Sequence, residues 1–155
     1  MKAVLQRVTC ANVVVKGDDA GQRAIGRGFM VLVGFCADDD NATVEYIANK
    51  IIGMRVFEDD AGAMNLSLAD SGGSLLVVSQ FTLYADCRKG RRPSFIAAAK
   101  PGQAIPLYEH FLDVLRKTGT NVKSGEFGAD MQVTLTNDGP VTILLDSAEI
   151  MPRLK

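Results

Sequence analysis

Ser79, Gln80 and Thr82 close an uninterrupted apolar run, Leu75-Leu76-Val77-Val78, and are followed by a basic stretch, Arg88-Lys89-Gly90-Arg91-Arg92-Pro93. Polar groups converging at the end of a buried strand are where small-ligand sites form. The same hydroxyls and amide could equally satisfy backbone groups at a strand terminus. Four cations within residues 88–92 suit phosphates, or a solvated loop. His110 is the only histidine and lies within "LYEHFLDVL", a helical pattern, so it reads as a helix-rim residue rather than a general base. Cys87 has cationic neighbours that would favour its thiolate, but no histidine to partner it as a nucleophile. Neither GxxxxGK[ST] nor GxGxxG occurs, so no nucleotide-phosphate cradle is visible. Cys10, Cys36 and Cys87 are widely spaced, and no CxxC occurs. That spacing predicts reduced thiols and no metal or other cofactor.

One segment breaks the usual rules. "VTLTNDGPVTILL" alternates as a strand does, yet Gly139-Pro140 interrupts it. Proline has no N–H to give to a ladder and is out of place in a central strand.

The elements that must position these groups follow from periodicity. The chain has 155 residues, 47% hydrophobic and 23% charged, with a net charge of −1, which suits one globular domain. A nonspecific nucleic-acid binder would be more basic, so any RNA contact must come from a local patch. The N-terminus alternates and lacks the continuous apolar stretch of a signal peptide. No apolar run is long enough to cross a bilayer, and the reading is a soluble, cytoplasmic protein with no membrane partner. "KAVLQRVTC" and "ANVVVKG" read as two strands, with hairpin-turn chemistry in "GDDAGQ". Residues 29–35 read as a buried strand. The helix after residues 38–40 has acidic groups at its positive end and an apolar face of Val44, Ile47, Ala48, Ile51 and Ile52. "GGSLLVVSQFTLYA" is the strongest strand. "IPLYEHFLDVLRKTG" reads as a second helix, with Pro106 in its first turn and Gly119 past its end. Residues 121–146 read as two or three strands. Strands interrupted by two main helices predict a compact α/β fold, a layered sheet or partial barrel with helices on one face.

Four blocks, "MKAVLQRVTCANVVV", "SQFTLYAD", "RKGRRPSF" and "FGADMQVTLTNDGPVT", together with "GAMNLSL", resemble the D-aminoacyl-tRNA deacylase family, of the D-tyrosyl-tRNA deacylase type. The likeness covers residues 1–146, leaving 147–155 as a peripheral tail. Cys87, Arg91 and that tail depart from the pattern. The resemblance implies a β/β/α homodimer, cytosolic, with active sites at the subunit interface. It implies hydrolysis of the ester joining a D-amino acid to the 3′-terminal adenosine of tRNA, and also removal of glycine from mischarged tRNA-Ala.

It further implies that Gly139-Pro140 is a cis pair reaching into the partner subunit's pocket. Its carbonyl oxygens would face the substrate's amino group and crowd out an L side chain. A cis X-Pro bond costs only about 0.5–1 kcal/mol over trans. By the same resemblance Arg7 supports that pair, and Met131 lines the pocket. Ser79, Gln80, Phe81 and Thr82 form the catalytic strand end. N–H groups near Phe81 and Thr82 would polarise the ester carbonyl, Gln80 would orient the substrate, and Phe81 would pack on the adenine. Thr82 is the family's candidate nucleophile, yet the sequence offers it no base. Assistance by the adenosine 2′-OH is the alternative. A noncatalytic RNA- or aminoacyl-binding module and a generic esterase using Thr82 or Cys87 are the competing readings.

Overall fold

The computed structural model describes residues 1–19 and 21–152. Ala20, in the expected turn, and residues 153–155 of the expected tail lie outside the described residues. Strands β1 (Lys2–Val15), β2 (Gly28–Gly34), β5 (Ser74–Ser79), β6 (Val122–Ser124) and β7 (Met131–Asp146) form one sheet, and β3 (Phe57–Glu58) pairs with β4 (Met64–Leu66). Helices α1 (Asn41–Gly53), α2 (Leu68–Ser71), α3 (Pro101–Lys117) and α4 (Ser147–Ile150), with a 3-10 turn at Phe81–Tyr84, complete the described elements. The sheet order is β6-β5-β2-β1-β7, open at both edges, so it is not a closed barrel. β1 runs antiparallel to β2 and β7. β5 runs parallel to β2 and β6. Parallel neighbours need a crossover, and the helical segments supply it.

One face of the sheet carries the larger core. Leu5, Phe29, Val31, Leu75 and Val77 meet Ile47 and Ile51 of α1 and Phe111 and Leu115 of α3, all essentially buried. Side chains of this size contribute about 1.5–3 kcal/mol each when fully buried. Asp40 caps α1, accepting the Thr43 N–H at 2.8 Å. The buried stripe Ala104, Leu107, Tyr108, Phe111, Leu112 and Leu115 begins a turn earlier than expected, with Pro101 in the first helical turn. Pro106 is therefore inside α3, a correction to its predicted place at the start. The opposite face of the sheet packs Met30, Leu76 and Val78 against Val8, Ala11 and Val13 of β1.

β1 therefore serves both cores, which is why it is one strand and not the two expected. Its register against β7 shifts between Gln6 and Val8, and again between Val8 and Cys10. Ala3 and Leu5 face the helices, whereas Ala11 and Val13, of the same parity, face the other core. A bulge reverses which parity points inward, and it bends the strand. The far halves of β1 and β7 fold over the sheet, making a sheet-on-sheet-on-helix stack. β7 is likewise unbroken through Gly139-Pro140. Gln6 pairs with Thr142 and Val8 with Asn137, so residues 138–141 have no ladder partner and bow out opposite Arg7. A proline in that outward loop forfeits no ladder bond. No described helix is long and apolar enough to cross a membrane.

Candidate functional site

β5 is apolar without alternation because both its faces are covered: Leu75 and Val77 by one core, Leu76 and Val78 by the other. Past Ser79 the covering ends, and the chain turns sharply. The Gln80 N–H still donates to the Val33 carbonyl at 2.7 Å. Leu83 N–H then donates to Gln80 O at 3.2 Å and Ala85 N–H to Thr82 O at 3.0 Å, closing the 3-10 turn. The turn rests on Gly34, where an added Cβ would stand 2.8 Å from the Gln80 carbonyl oxygen. Only glycine permits that approach without a shift.

The turn borders a cleft of about 310 Å³. Val33–Phe35, Val78–Phe81 and residues 127–131 line it, together with Ala99, Val133 and Ala104 of α3. Ser79, Gln80, Phe81 and Met131 thus come together from distant parts of the sequence. The Met131 thioether fills the space over Gly125, where a Cβ would lie 2.6 Å from its sulfur. Phe81 is 56% exposed, a large apolar ring offered to solvent at the rim. It is fixed there by an edge-on contact with Phe95, with centroids 5.1 Å apart and planes at 73°.

Among the lining residues Asp130 alone is ionisable. Thr82 is not among the lining residues; its hydroxyl accepts from the Gln80 amide. An amide NH₂ is a donor only and cannot take a proton from that hydroxyl. His110 lies elsewhere, its Nε2 2.9 Å from Glu45 Oε1, joining α3 to α1. Cys87 is exposed outside the cleft. The arrangement can bind, orient and polarise. The first N–H groups of a 3-10 turn, here those of Phe81 and Thr82, have no partner inside it.

A second constellation lies at the bowed loop of β7. The Gly139–Pro140 peptide is cis, and both residues are exposed. Gly139 has φ +143°, a conformation L side chains rarely adopt, and a Cβ there would meet the Val141 side chain at 2.7 Å. Arg7, 5% exposed, lies beneath. Its Nε donates to the Asp138 carbonyl at 3.0 Å and its Nη1 to the Val56 carbonyl at 2.7 Å. Asp138 and Glu58 carboxylates stand 3.6 and 3.9 Å from the guanidinium. This is the fork geometry that a lysine cannot reproduce.

Gly139, Pro140 and Arg7 do not line the cleft of their own chain. Sequence reasoning missed Asn137, which closes the loop from within. Its Oδ1 accepts the Val141 N–H at 2.7 Å, while its Nδ2 donates to Val141 O at 3.2 Å and Thr142 Oγ1 at 3.1 Å. The available signal was the residue type, since asparagine binds nearby backbone readily. Residues 127–130 were missed as a cleft wall because nothing in their pattern points to β5.

The family model described as D-Tyr-tRNA(Tyr) deacylase matches residues 4–146. A D-aminoacyl-tRNA deacylase of Thermus aquaticus is 56% identical over 149 residues, 96% of this chain and 97% of its own. Another of Thermomicrobium roseum is 57% identical over 150 residues, covering 97% and 96%. A solved chain described as "c-Myc DNA Unwinding Element Binding Protein" superposes with a TM-score of 0.87 at 47% identity, covering 95% of this chain and 99% of that one. These full-length likenesses show that the chain belongs to the D-aminoacyl-tRNA deacylase family.

Proposed function

We propose that this protein hydrolyses the ester between a D-amino acid and the 3′-terminal adenosine of tRNA, releasing the amino acid and free tRNA. The observation that carries the reading is a strand-end cleft whose polar side chains are Ser79, Gln80 and the single carboxylate of Asp130, in a chain whose family and full-length relatives are D-aminoacyl-tRNA deacylases. An aminoacyl ester is intrinsically labile, so positioning and carbonyl polarisation suffice without a covalent step. Main-chain N–H groups at Phe81 and Thr82 would polarise the carbonyl. Ser79 and Gln80 orient the substrate, Phe81 takes the adenine against its exposed ring, and Met131 fills the wall. The vicinal 2′-OH of the adenosine assists attack by water.

In this reading two copies associate in the cytoplasm, and the Gly139-Pro140 loop of one enters the cleft of the other. Its placement outside its own cleft supports that arrangement. Arg7 and Asn137 hold the loop's carbonyls toward the substrate's amino group. An L side chain would collide with them, whereas a D side chain points away and glycine has none. Chirality is then read by exclusion, which tolerates many D side chains.

The test is deacylation of matched D-, L- and glycyl-tRNA by purified protein. D and glycyl esters are cleaved, and the L ester is slower by roughly 100-fold or more, as a clash of about 3 kcal/mol requires. Cleavage of the L ester at a comparable rate overturns the exclusion argument. Failure to cleave any of the three overturns the activity.

A further inference from the structure

The basic stretch has a definite shape. Asp86 and Ser94 close it with a pair of backbone bonds, Asp86 N–H to Ser94 O at 2.7 Å and Ser94 N–H to Asp86 O at 2.9 Å. Arg88 is turned back on that base. Its Nε and Nη2 donate to the two Asp86 carboxylate oxygens at 2.8 and 2.6 Å, and its N–H adds a third bond at 3.0 Å. The Arg88 guanidinium holds the Asp86 carboxyl down at about 2, so the pair stays ionised and its charges cancel. Lys89, Arg91 and Arg92 remain exposed at the tip, and none of them makes an ion pair among the described residues. Three uncompensated cations are thus concentrated on one small loop of a protein whose net charge is −1.

The loop is rooted at the cleft. Its first limb leaves the 3-10 turn at Tyr84, and its second ends at Phe95, whose ring is seated against Phe81 at the rim. Arg92 and Arg91 lie three and four residues from Phe95, and Lys89 five from Tyr84, so the limbs reach at most roughly 10–18 Å. The cations therefore stand within a few nucleotides of whatever occupies the cleft. The phosphates 5′ of an aminoacylated adenosine seated there would lie within reach of this loop, and three cations match a short run of phosphates.

We propose that Lys89, Arg91 and Arg92 grip the backbone phosphates of the single-stranded 3′ end of tRNA, immediately before the aminoacylated adenosine; this rests on the deacylase reading above. Arg88 is excluded from the grip. It stiffens the loop through Asp86. Contact is with phosphate and not base edges, so it is indifferent to sequence.

Three substrates locate the contact: D-aminoacyl-adenosine, a 5′-phosphorylated D-aminoacyl trinucleotide carrying the 3′ end alone with three phosphates, and D-aminoacyl-tRNA. In the wild type, kcat/KM rises mainly between the first and the second. The triple variant K89A/R91A/R92A loses that rise, roughly 10- to 100-fold at 0.1 M salt, through KM, and acts normally on D-aminoacyl-adenosine. The charge-conserving variant K89R/R91K/R92K behaves as wild type, which separates charge from folding. Binding of uncharged trinucleotide and uncharged tRNA is measured alongside. The slope of log affinity against log salt falls by about 2 in the triple variant, three single-strand contacts at roughly 0.7 each.

A rise that appears only on going from trinucleotide to whole tRNA, or an unchanged KM and salt slope in the triple variant, overturns the proposal. Equal losses on all three substrates also overturn it, because the loop would then be shaping the cleft. A wild type that deacylates nothing, with a triple variant whose salt slope for uncharged RNA is still shallower, rejects the deacylase reading and leaves the phosphate grip standing.

Discussion

The Nε of Arg7 lies 3.0 Å from the carbonyl oxygen of Asp138, at the root of the loop that carries Gly139 and Pro140. A residue of β1 thus sets the position of a loop some 130 residues later, because β1 and β7 are neighbours in the sheet. The same guanidinium reaches Val56 O, which ties the loop to the segment before β3. Arg7→Ala removes both donors and leaves two carbonyls with no charged partner. Bonds to charged groups are worth about 1.5–3 kcal/mol each. The variant is expected to lose about 2–4 kcal/mol in urea unfolding and at least tenfold in deacylation. Arg7→Lys recovers part of the stability and little of the rate, since one ammonium cannot bond both carbonyls in the fork geometry. An alanine variant within about 0.5 kcal/mol of wild type would show the contacts to be incidental.

Asn137 holds the same loop from inside. Asn137→Ala removes its three bonds and costs about 1–2 kcal/mol. The Val141 amide, whose partner is Asn137 Oδ1, exchanges with solvent faster in the variant. The preference for D over L esters narrows by roughly tenfold, the equivalent of a loop whose carbonyls have lost about 1.4 kcal/mol of positioning. Unchanged exchange at Val141 together with full discrimination would contradict the clamp.

Thr82 has an amide neighbour and no base. Thr82→Ala is expected to keep turnover within about tenfold, whereas loss of a true nucleophile costs on the order of 10⁴–10⁶ in kcat. Single-turnover rates on D-aminoacyl-tRNA decide between them. Cys87→Ala, at an exposed position outside the cleft lining, is expected to leave the rate unchanged.

Gly34→Ala inserts a methyl 2.8 Å from the Gln80 carbonyl and 3.4 Å from Leu83 and Tyr84 side-chain carbons. The 3-10 turn must lift from β2, which costs about 1–3 kcal/mol as overpacking. The cleft rim moves with it, and kcat falls more than the stability loss alone predicts. A thermal midpoint and kcat both equal to wild type would show the turn to be free to shift.

Tyr108 reports on the larger core at high pH. Burial pushes its phenol up to about 12 from an ordinary 10, and its hydroxyl donates to Val77 O at 3.0 Å. The folded state therefore keeps this proton more tightly than the unfolded chain. The contribution is whole below pH 10 and is lost as pH rises from about 10 to about 12. Urea midpoints should decline across that window, and Tyr108→Phe should shallow the decline at a cost of about 1 kcal/mol at pH 7. Tyr84, whose pKa burial also raises, stays in both proteins and leaves a residual slope. A decline equally steep in the variant would assign it elsewhere.

Much of the local structure was legible because it follows from local chemistry. Asp40 as a cap, the buried face Val44, Ile47, Ala48 and Ile51, and the apolar run 75–78 follow from one-dimensional rules that tertiary contacts here reinforce. The motif residues Ser79, Gln80 and Phe81 were legible by likeness, and the cleft does form at that strand end. The start of α3 was placed one turn late, because Pro106 reads as a helix beginning unless the stripe from Ala104 is known to meet the sheet.

The sequence by itself determined most of the segments that become strands and helices and the family to which the pattern NDGPVT belongs, whereas the strand expected through Ala85 ends at Ser79, where Phe81–Tyr84 turn as a 3-10 helix. Only the tertiary structure decided that β1 is a single bent strand, that Arg7 is buried under residues 138–141, and that residues 127–131 wall the Ser79 end of β5. The physical reason is that a period-two pattern looks the same on both sides of a bulge. It records which residues are buried, and not which of two cores receives them. Burial partners separated by a hundred residues leave no mark on either segment alone.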